Sequence, residues 1–234
     1  MESIKDDYQK LSEKLQISDA VYEALRERII QNKVNPTFRF KEEEIAAMLD
    51  ISRTPVREAL LLLEHNKYII SNSSKGYIIN RLSMNESMDI IDYTRNLRCA
   101  AAEITASHIT KQQIIILEQL KLKKHLLLGQ DKTKNISSIY MTHQKFHLKI
   151  AKFSQNIFLY KESQRMHEKL LMIHYYYTPE MKDCFSIDSH LEEHEKLLEA
   201  FKNMDSKEAR KVMDYYSSGL YYIIRHMYSL EWNE

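Results

Sequence analysis

Two histidine pairs stand four residues apart, His143/His147 and His190/His194. On a helix, residues at i and i+4 lie one above the other, so each pair can turn both imidazoles the same way. A helix offers two nitrogen ligands to a divalent metal in this manner. The first pair shares its face with Ile139, Phe146, Ile150 and Phe153, the second with Leu197, Leu198 and Phe201. All four rings therefore start on core-facing sides, where they serve either as metal ligands or as satisfied core histidines. Arg95 is a further unusual charge, set in an apolar stripe of Met84, Met88, Ile91, Cys99, Ala102, Ala106 and Ile109. A guanidinium there needs an anion opposite it. A bound carboxylate effector is one solution; an acid on a neighbouring helix, or snorkelling to the bundle edge, is the other. Arg53 and Arg57 form a second i, i+4 pair, in the first turns of a predicted helix. Free N–H groups and the positive dipole end at such a terminus favour phosphate, and arginines beside them can reach phosphates or guanine edges.

These groups need elements to hold them. Ile4, Tyr8, Leu11 and Leu15 recur at helical spacing and predict a short N-terminal helix. Ser18 is placed to cap a second helix carrying Val21, Leu25, Ile29 and Ile30 inward, and Asn35-Pro36 breaks it. A short helix follows over 41–49. Ser52 is placed to cap the next one, with Pro55 tolerated in the first turn and Val56, Ala59, Leu60 and Leu63 facing inward. Tyr68-Ile69-Ile70, a turn set ending in Lys75-Gly76, and Tyr77-Ile78-Ile79 then read as a hairpin. Beyond Ser83 the pattern is helical throughout, with capping-box starts at Ser83/Glu86, Thr110/Gln113, Ser189/Glu192 and Asp205/Glu208. Breaks are predicted around 134–137 and at Ser154-Gln155-Asn156. About six helices over this stretch imply an antiparallel bundle. The expected architecture is mainly α, an N-terminal winged helix-turn-helix with a small β-hairpin followed by a C-terminal all-α antiparallel helical bundle. The expected divisions are a helical extension over 1–17, a winged domain over 18–81 and a helical domain over 82–234.

Composition excludes several classes. The 234 residues hold 3 glycines, too dispersed for a dinucleotide- or phosphate-binding loop. With 44% hydrophobic and 29% charged residues, and Lys+Arg 34 against Asp+Glu 33, the chain is globular with no bulk attraction to polyanions. Residues 1–80 carry no basic excess; over 52–80, Arg53, Arg57, Lys67 and Lys75 face only Glu58 and Glu64. Cys99 and Cys184 are too few for a disulfide framework. No signal segment or run long enough to span a membrane is visible, so a soluble cytoplasmic protein is expected.

The run Ile51-Ser52-Arg53-Thr54-Pro55-Val56-Arg57-Glu58-Ala59-Leu60 resembles the DNA-binding domain of GntR-family bacterial transcription regulators. So do Val21-Tyr22-Glu23-Ala24-Leu25, Ile29-Ile30, Ile45-Ala46, Leu63-Glu64 and Gly76. The resemblance implies DNA contacts by Arg53 and Arg57, phosphate contacts by Ser52 and Thr54, and a wing containing Gly76, with Lys75 beside it over the minor groove. Asn32, Thr37 and Glu43 depart from the family pattern; Glu43 stands where many members carry a DNA-contacting arginine. Operator sequence therefore does not transfer. Residues 84–230 resemble the all-helical FCD ligand-binding domain of the FadR-type subgroup, through Arg95 with Ala102/Ala106, Phe146-His147…Asn156…Leu159, Glu193-His194-Glu195…Leu198 and Asp205…Ala209…Met213.

Many members of that subgroup hold a divalent metal in the bundle. Carried onto this chain, the ligands are His143, His147 and His194, while the fourth position falls on Tyr216, on the stripe Ala209, Met213, Tyr216, Leu220, Ile223 and Met227. Two outcomes stay open: a zinc, nickel or manganese ion on three histidines, or an organic-ligand pocket in which Tyr216 donates a hydrogen bond. The expectation is a homodimeric regulator of a double-stranded DNA operator, controlled by a small effector, most simply a carboxylate paired with Arg95. Whether binding represses or activates is not legible. The rivals are a three-histidine metalloenzyme with Glu192 or Glu193 as base, neither of which points with His194 by helical angle, and a helical scaffold that binds protein instead of DNA.

Overall fold

The computed structural model describes residues 2–35, 37–72, 76–130, 132–177 and 189–217. Lys75, Cys184, Leu220, Ile223 and Met227 lie outside the described residues, as does the side chain of His190. The architecture is mainly α, with one two-stranded antiparallel sheet among the described residues. Two compact units divide the chain, Met1–Ser83 with Leu171–Tyr177, and Met84–Leu170 with Thr178–Glu234.

The first unit contains α1 (Glu2–Ser12), α2 (Ile17–Ile30), α3 (Glu42–Leu49), α4 (Arg53–His65), β1 (Ile69–Ser71) and β2 (Tyr77–Ile79). Its core is apolar at the predicted spacings: Ile4 and Tyr8 from α1; Ala20, Val21, Ala24, Leu25 and Ile29 from α2; Ile45 and Leu49 from α3; Val56, Ala59, Leu60 and Leu63 from α4. Arg28 pairs with Asp7 at 2.5 Å and ties α2 to α1. Two predicted ends move. Leu15 falls past the end of α1 and is exposed. The cap of α2 is Gln16 in extended conformation, so Ser18 lies inside the helix.

β1 and β2 pair with Ile69 opposite Ile79 and Ser71 opposite Tyr77. Phe40 adds a bridge that a single residue does not announce in sequence, its N–H donating to the Tyr77 carbonyl at 2.8 Å and its carbonyl accepting from Tyr77 N–H at 3.0 Å. Gly76 makes that approach possible. Its φ is +86°, and a Cβ there would lie 2.6 Å from the Phe40 carbonyl oxygen.

The second unit is helical: α5 (Met84–Ala106), α6 (Lys111–Leu128), α7 (Lys132–Phe153), the first turns of α8 (Ile157–Tyr177), α9 (Ser189–Lys202) and a helical stretch over 206–217. α6 opens with the predicted capping box, Thr110 Oγ1 accepting from Gln113 N–H and Gln113 Oε1 accepting from Thr110 N–H. Asn156 Oδ1 accepts from the N–H groups of Phe158 and Leu159 and starts α8 at the predicted break. The break expected over 134–137 is absent: α7 runs through it, because Lys134-Asn135-Ile136-Ser137 holds no proline or glycine and the flanking residues continue the helix. Ala101, Ala102 and Ala106 let α5 pack closely against Phe146, Ile150, Phe201 and Met213. Thr105 Oγ1 donates to the Ile150 carbonyl at 2.9 Å and ties α5 to α7. Among the described residues no helix is long and apolar enough to cross a membrane.

Gly76→Ala should lower the unfolding free energy by about 1–3 kcal/mol, since it adds a strained φ and a clash with backbone. Urea denaturation measures it; a loss under about 0.5 kcal/mol would mean that the hairpin does not depend on this approach.

Candidate functional site

The N-terminus of α4 presents its polar side to solvent. Ser52, Arg53, Thr54 and Arg57 are all exposed, while Val56, Ala59, Leu60 and Leu63 on the other side of the helix are buried. Ser52 occupies the N-cap position in extended conformation, and its hydroxyl makes no capping bond. Arg53 Nη1 lies 2.9 Å from Glu43 Oε1, with both side chains more than half exposed. Gly76 sits in the connection between β1 and β2, where Asn72 N–H donates to its carbonyl at 2.8 Å.

A second group lies inside the helical unit. His143 and His147 on α7 meet Glu193 and His194 on α9, and one ligand atom from each of the four buried residues lies within 4.8 Å of the others. His143 Nδ1 is 3.1 Å from His194 Nε2, and His147 Nε2 is 3.4 Å from Glu193 Oε1. Phe146 stacks on the His194 ring at 3.8 Å between centroids and fixes its plane. Three imidazoles and one carboxylate are the donor chemistry of a divalent transition metal, so the donor set fits the ion that the resemblance implies.

One member of this group differs from the expectation. Glu193, excluded by helical angle, is buried beside His147, because consecutive residues 100° apart both flank the centre of a wide buried arc. Tyr216 lines the cavity that His143 and Glu193 also line, and its hydroxyl hydrogen-bonds with Glu192 and Lys196.

Lys124 was not a sequence candidate, yet it is 1% exposed and its Nζ lies 3.4 Å from His143 Nδ1. Burial pulls its amine down to about 8, with the Glu193 charge opposing. In sequence the residue hides among Lys121, Lys123 and Lys124, which look like a solvated run. The signal was its spacing from Leu117 and Leu128, the other buried residues of α6.

Arg95 and Arg98 lie three residues apart on α5 and have different partners. Arg95 Nε lies 3.4 Å from Asp214 and 3.6 Å from Asp92, the acid on a neighbouring helix being the alternative left open by the sequence. Arg98, one turn further on, donates from Nη2 to Gln144 Oε1 at 2.5 Å. Burial pulls its guanidinium below the ordinary value, while the Tyr140 and Glu193 charges oppose. Two small cavities of about 20 Å³ each adjoin the cluster. Thr94, Arg98 and Gln144 line both; His147, Ser163 and His167 line the first, and Arg95, Tyr140, His143 and Glu193 the second. Each has room for about one or two water molecules, the size of an anionic head group.

Comparison with known families assigns both units. Residues 17–79 match the description "Bacterial regulatory proteins, gntR family", and residues 89–217 match "FCD domain". The chain belongs to the GntR family, in its FCD-containing group. The Nta operon transcriptional regulator of Aminobacter aminovorans is 31% identical over 137 residues, 58% of this chain and 62% of that protein. This GntR chain therefore spans less than two thirds of that relative's length. The Uxu operon transcriptional regulator of Escherichia coli K12 is 26% identical over 211 residues, 81% of this chain and 79% of that one. Among solved structures, E. coli McbR/YncC superposes with a TM-score of 0.72 at 20% identity, covering 92% of this chain and 99% of that one, a likeness of fold. The families matched and the relatives named are transcription regulators of the GntR/FCD type.

The cavity beside the cluster has a pH consequence. Burial, with Arg98 and Lys145 adding to it, pushes the His167 ring down to about 4, and its Nδ1 has no hydrogen-bond partner among the described residues. The unfolded chain takes a proton near pH 6.5, which the folded ring resists until about 4. Stability therefore falls as pH drops through that window, by at most about 3 kcal/mol. His167→Gln should flatten that part of the stability-versus-pH curve; an unchanged slope would show that the ring is hydrated and readily protonated.

Proposed function

We propose that this regulator binds a pseudo-palindromic operator as a homodimer through residues 18–81, and that a small carboxylate held within residues 82–234 controls it. The observation that carries the DNA reading is the outward Arg53/Arg57 pair on the first turns of α4, beside a hairpin and inside the gntR match. Each recognition helix reads only a few base pairs, so two half-sites are needed for a specific site. Arg53 and Arg57 reach the groove, Ser52 and Thr54 contact phosphates, and Gly76 shapes a wing whose neighbouring Lys75 adds charge. The uncapped Ser52 hydroxyl supports that role. Arg53 must exchange Glu43 for DNA, which costs little because an exposed pair contributes only about 0.2–1 kcal/mol.

Inside the bundle, Arg98 is a better anchor for an effector carboxylate than Arg95. Arg95 already faces Asp214 and Asp92, whereas Arg98 meets the neutral Gln144 amide, has no carboxylate paired to it among the described residues, and opens on both cavities. Arg95 and Tyr216 then border the pocket. His143, His147, His194 and Glu193 would hold a zinc, nickel or manganese ion, which when bound supplies an electrophilic anchor for the same carboxylate. The effector alters operator affinity only by the difference in its affinity for the DNA-competent and incompetent arrangements of the dimer.

Replacing Arg57 by Ala should weaken specific operator binding by about 1–3 kcal/mol in a fluorescence-anisotropy titration, and unchanged affinity would remove the recognition-helix role. In a thermal-shift series of small organic acids, at least one should raise the melting temperature of the wild type. Arg98→Gln should abolish that rise. A response that survives in Arg98→Gln and disappears in Arg95→Gln would return the anchor to Arg95.

A further inference from the structure

We propose that Lys124 is a tethered cation that competes with the divalent ion for the histidine cluster, so that this regulator holds metal weakly and exchangeably. The proposal rests on reading His143, His147, His194 and Glu193 as a divalent-ion site.

Position is the first argument. Lys124 lies on the buried edge of α6 with Leu117 and Leu128, and its side chain runs inward although a lysine near a helix end ordinarily carries its head to water. Its Nζ ends 3.4 Å from Nδ1 of His143. An ammonium has only hydrogens to offer, so at this contact Nδ1 is the acceptor. Nδ1 is the ring nitrogen that faces His194, and a lone pair engaged by the ammonium is not open to a metal. His194 Nε2, 3.1 Å from the same nitrogen, crowds it further.

Charge is the second argument. The cluster contains one carboxylate, Glu193, which lies 3.4 Å from His147. The Lys124 head, 3.4 Å from His143, already sets a cation beside that cluster. A divalent ion added next to it brings like charges together among buried groups, where they repel far more strongly than in water. The ion enters at low cost only if the lysine head leaves, and the lysine stays where the ion is scarce. A cluster with no lysine head beside it would lack this opposition.

The test uses the full-length protein. Wild type, Lys124→Met and Lys124→Gln are titrated with zinc against a chromophoric chelator, and the metal content of each is measured after purification without added metal and dialysis against a chelator. Both variants should bind zinc at least tenfold more tightly than wild type and retain it through dialysis, and adding His147→Ala to Lys124→Met should abolish the gain. Equal affinities in wild type and variants overturn the lysine's role and leave the metal reading standing. No zinc binding by any of the proteins overturns both. A wild type that keeps one zinc per chain through dialysis overturns the proposal without reference to either variant, should these fail to fold.

Discussion

An ion buried between helices has to be balanced by groups that the same helices supply. That requirement organises the C-terminal unit. Lys124 enters from α6, His143 and His147 from α7, and Glu193 and His194 from α9, so one polar cluster joins three helices that otherwise pack through Leu117, Ile150, Leu197 and Phe201. The aromatic stack of Phe146 on His194 and the small residues of α5 let this polar centre sit inside an apolar shell. Replacing any one charged member alone leaves its partner buried without compensation, which costs more than either group contributes when paired.

The N-terminal unit handles charge in the opposite way. Its core is apolar, and the arginines of α4 are displaced to the surface by the spacing of Val56, Leu60 and Leu63. Arg53 consequently has a partner, Glu43, that solvent screens, so the pair holds the arginine only weakly. The bundle needs compensation within a few ångströms; the winged unit needs only that its cations stay outside and its hairpin keep its shape.

Legibility in the sequence follows the same division. Apolar spacing located α2, α3 and α4, and the turn set located the hairpin, since a helix or strand with one buried face writes its period directly into the chain. The Phe40 bridge to Tyr77 was not legible because one residue has no period. In the bundle, His143, His147 and His194 stood out by type and spacing. Lys124 did not, because its neighbours Lys121 and Lys123 gave it the look of a solvated face. Glu193 was set aside because a single helical angle is too sharp a criterion for a helix buried across a broad arc. A lysine recurring with leucines at the spacing of a buried stripe carries more information than its immediate neighbours do.

The two arginines of α5 show how far helical spacing reaches into a buried polar region. The apolar stripe pointed to Arg95, and the position is beside a cavity. What decides whether a guanidinium is free to take a ligand, however, is the set of acids contributed by other helices. Asp214 lies far along the chain from Arg95 and approaches it only through the packing of 206–217 against α5. One turn along, Arg98 faces the amide of Gln144, which can accept a hydrogen bond but cannot neutralise a charge. A buried guanidinium without a carboxylate at ion-pair distance favours an anion more strongly than one already flanked by carboxylates. The surroundings of Arg95 and Arg98 are therefore set by tertiary packing, which no local motif encodes.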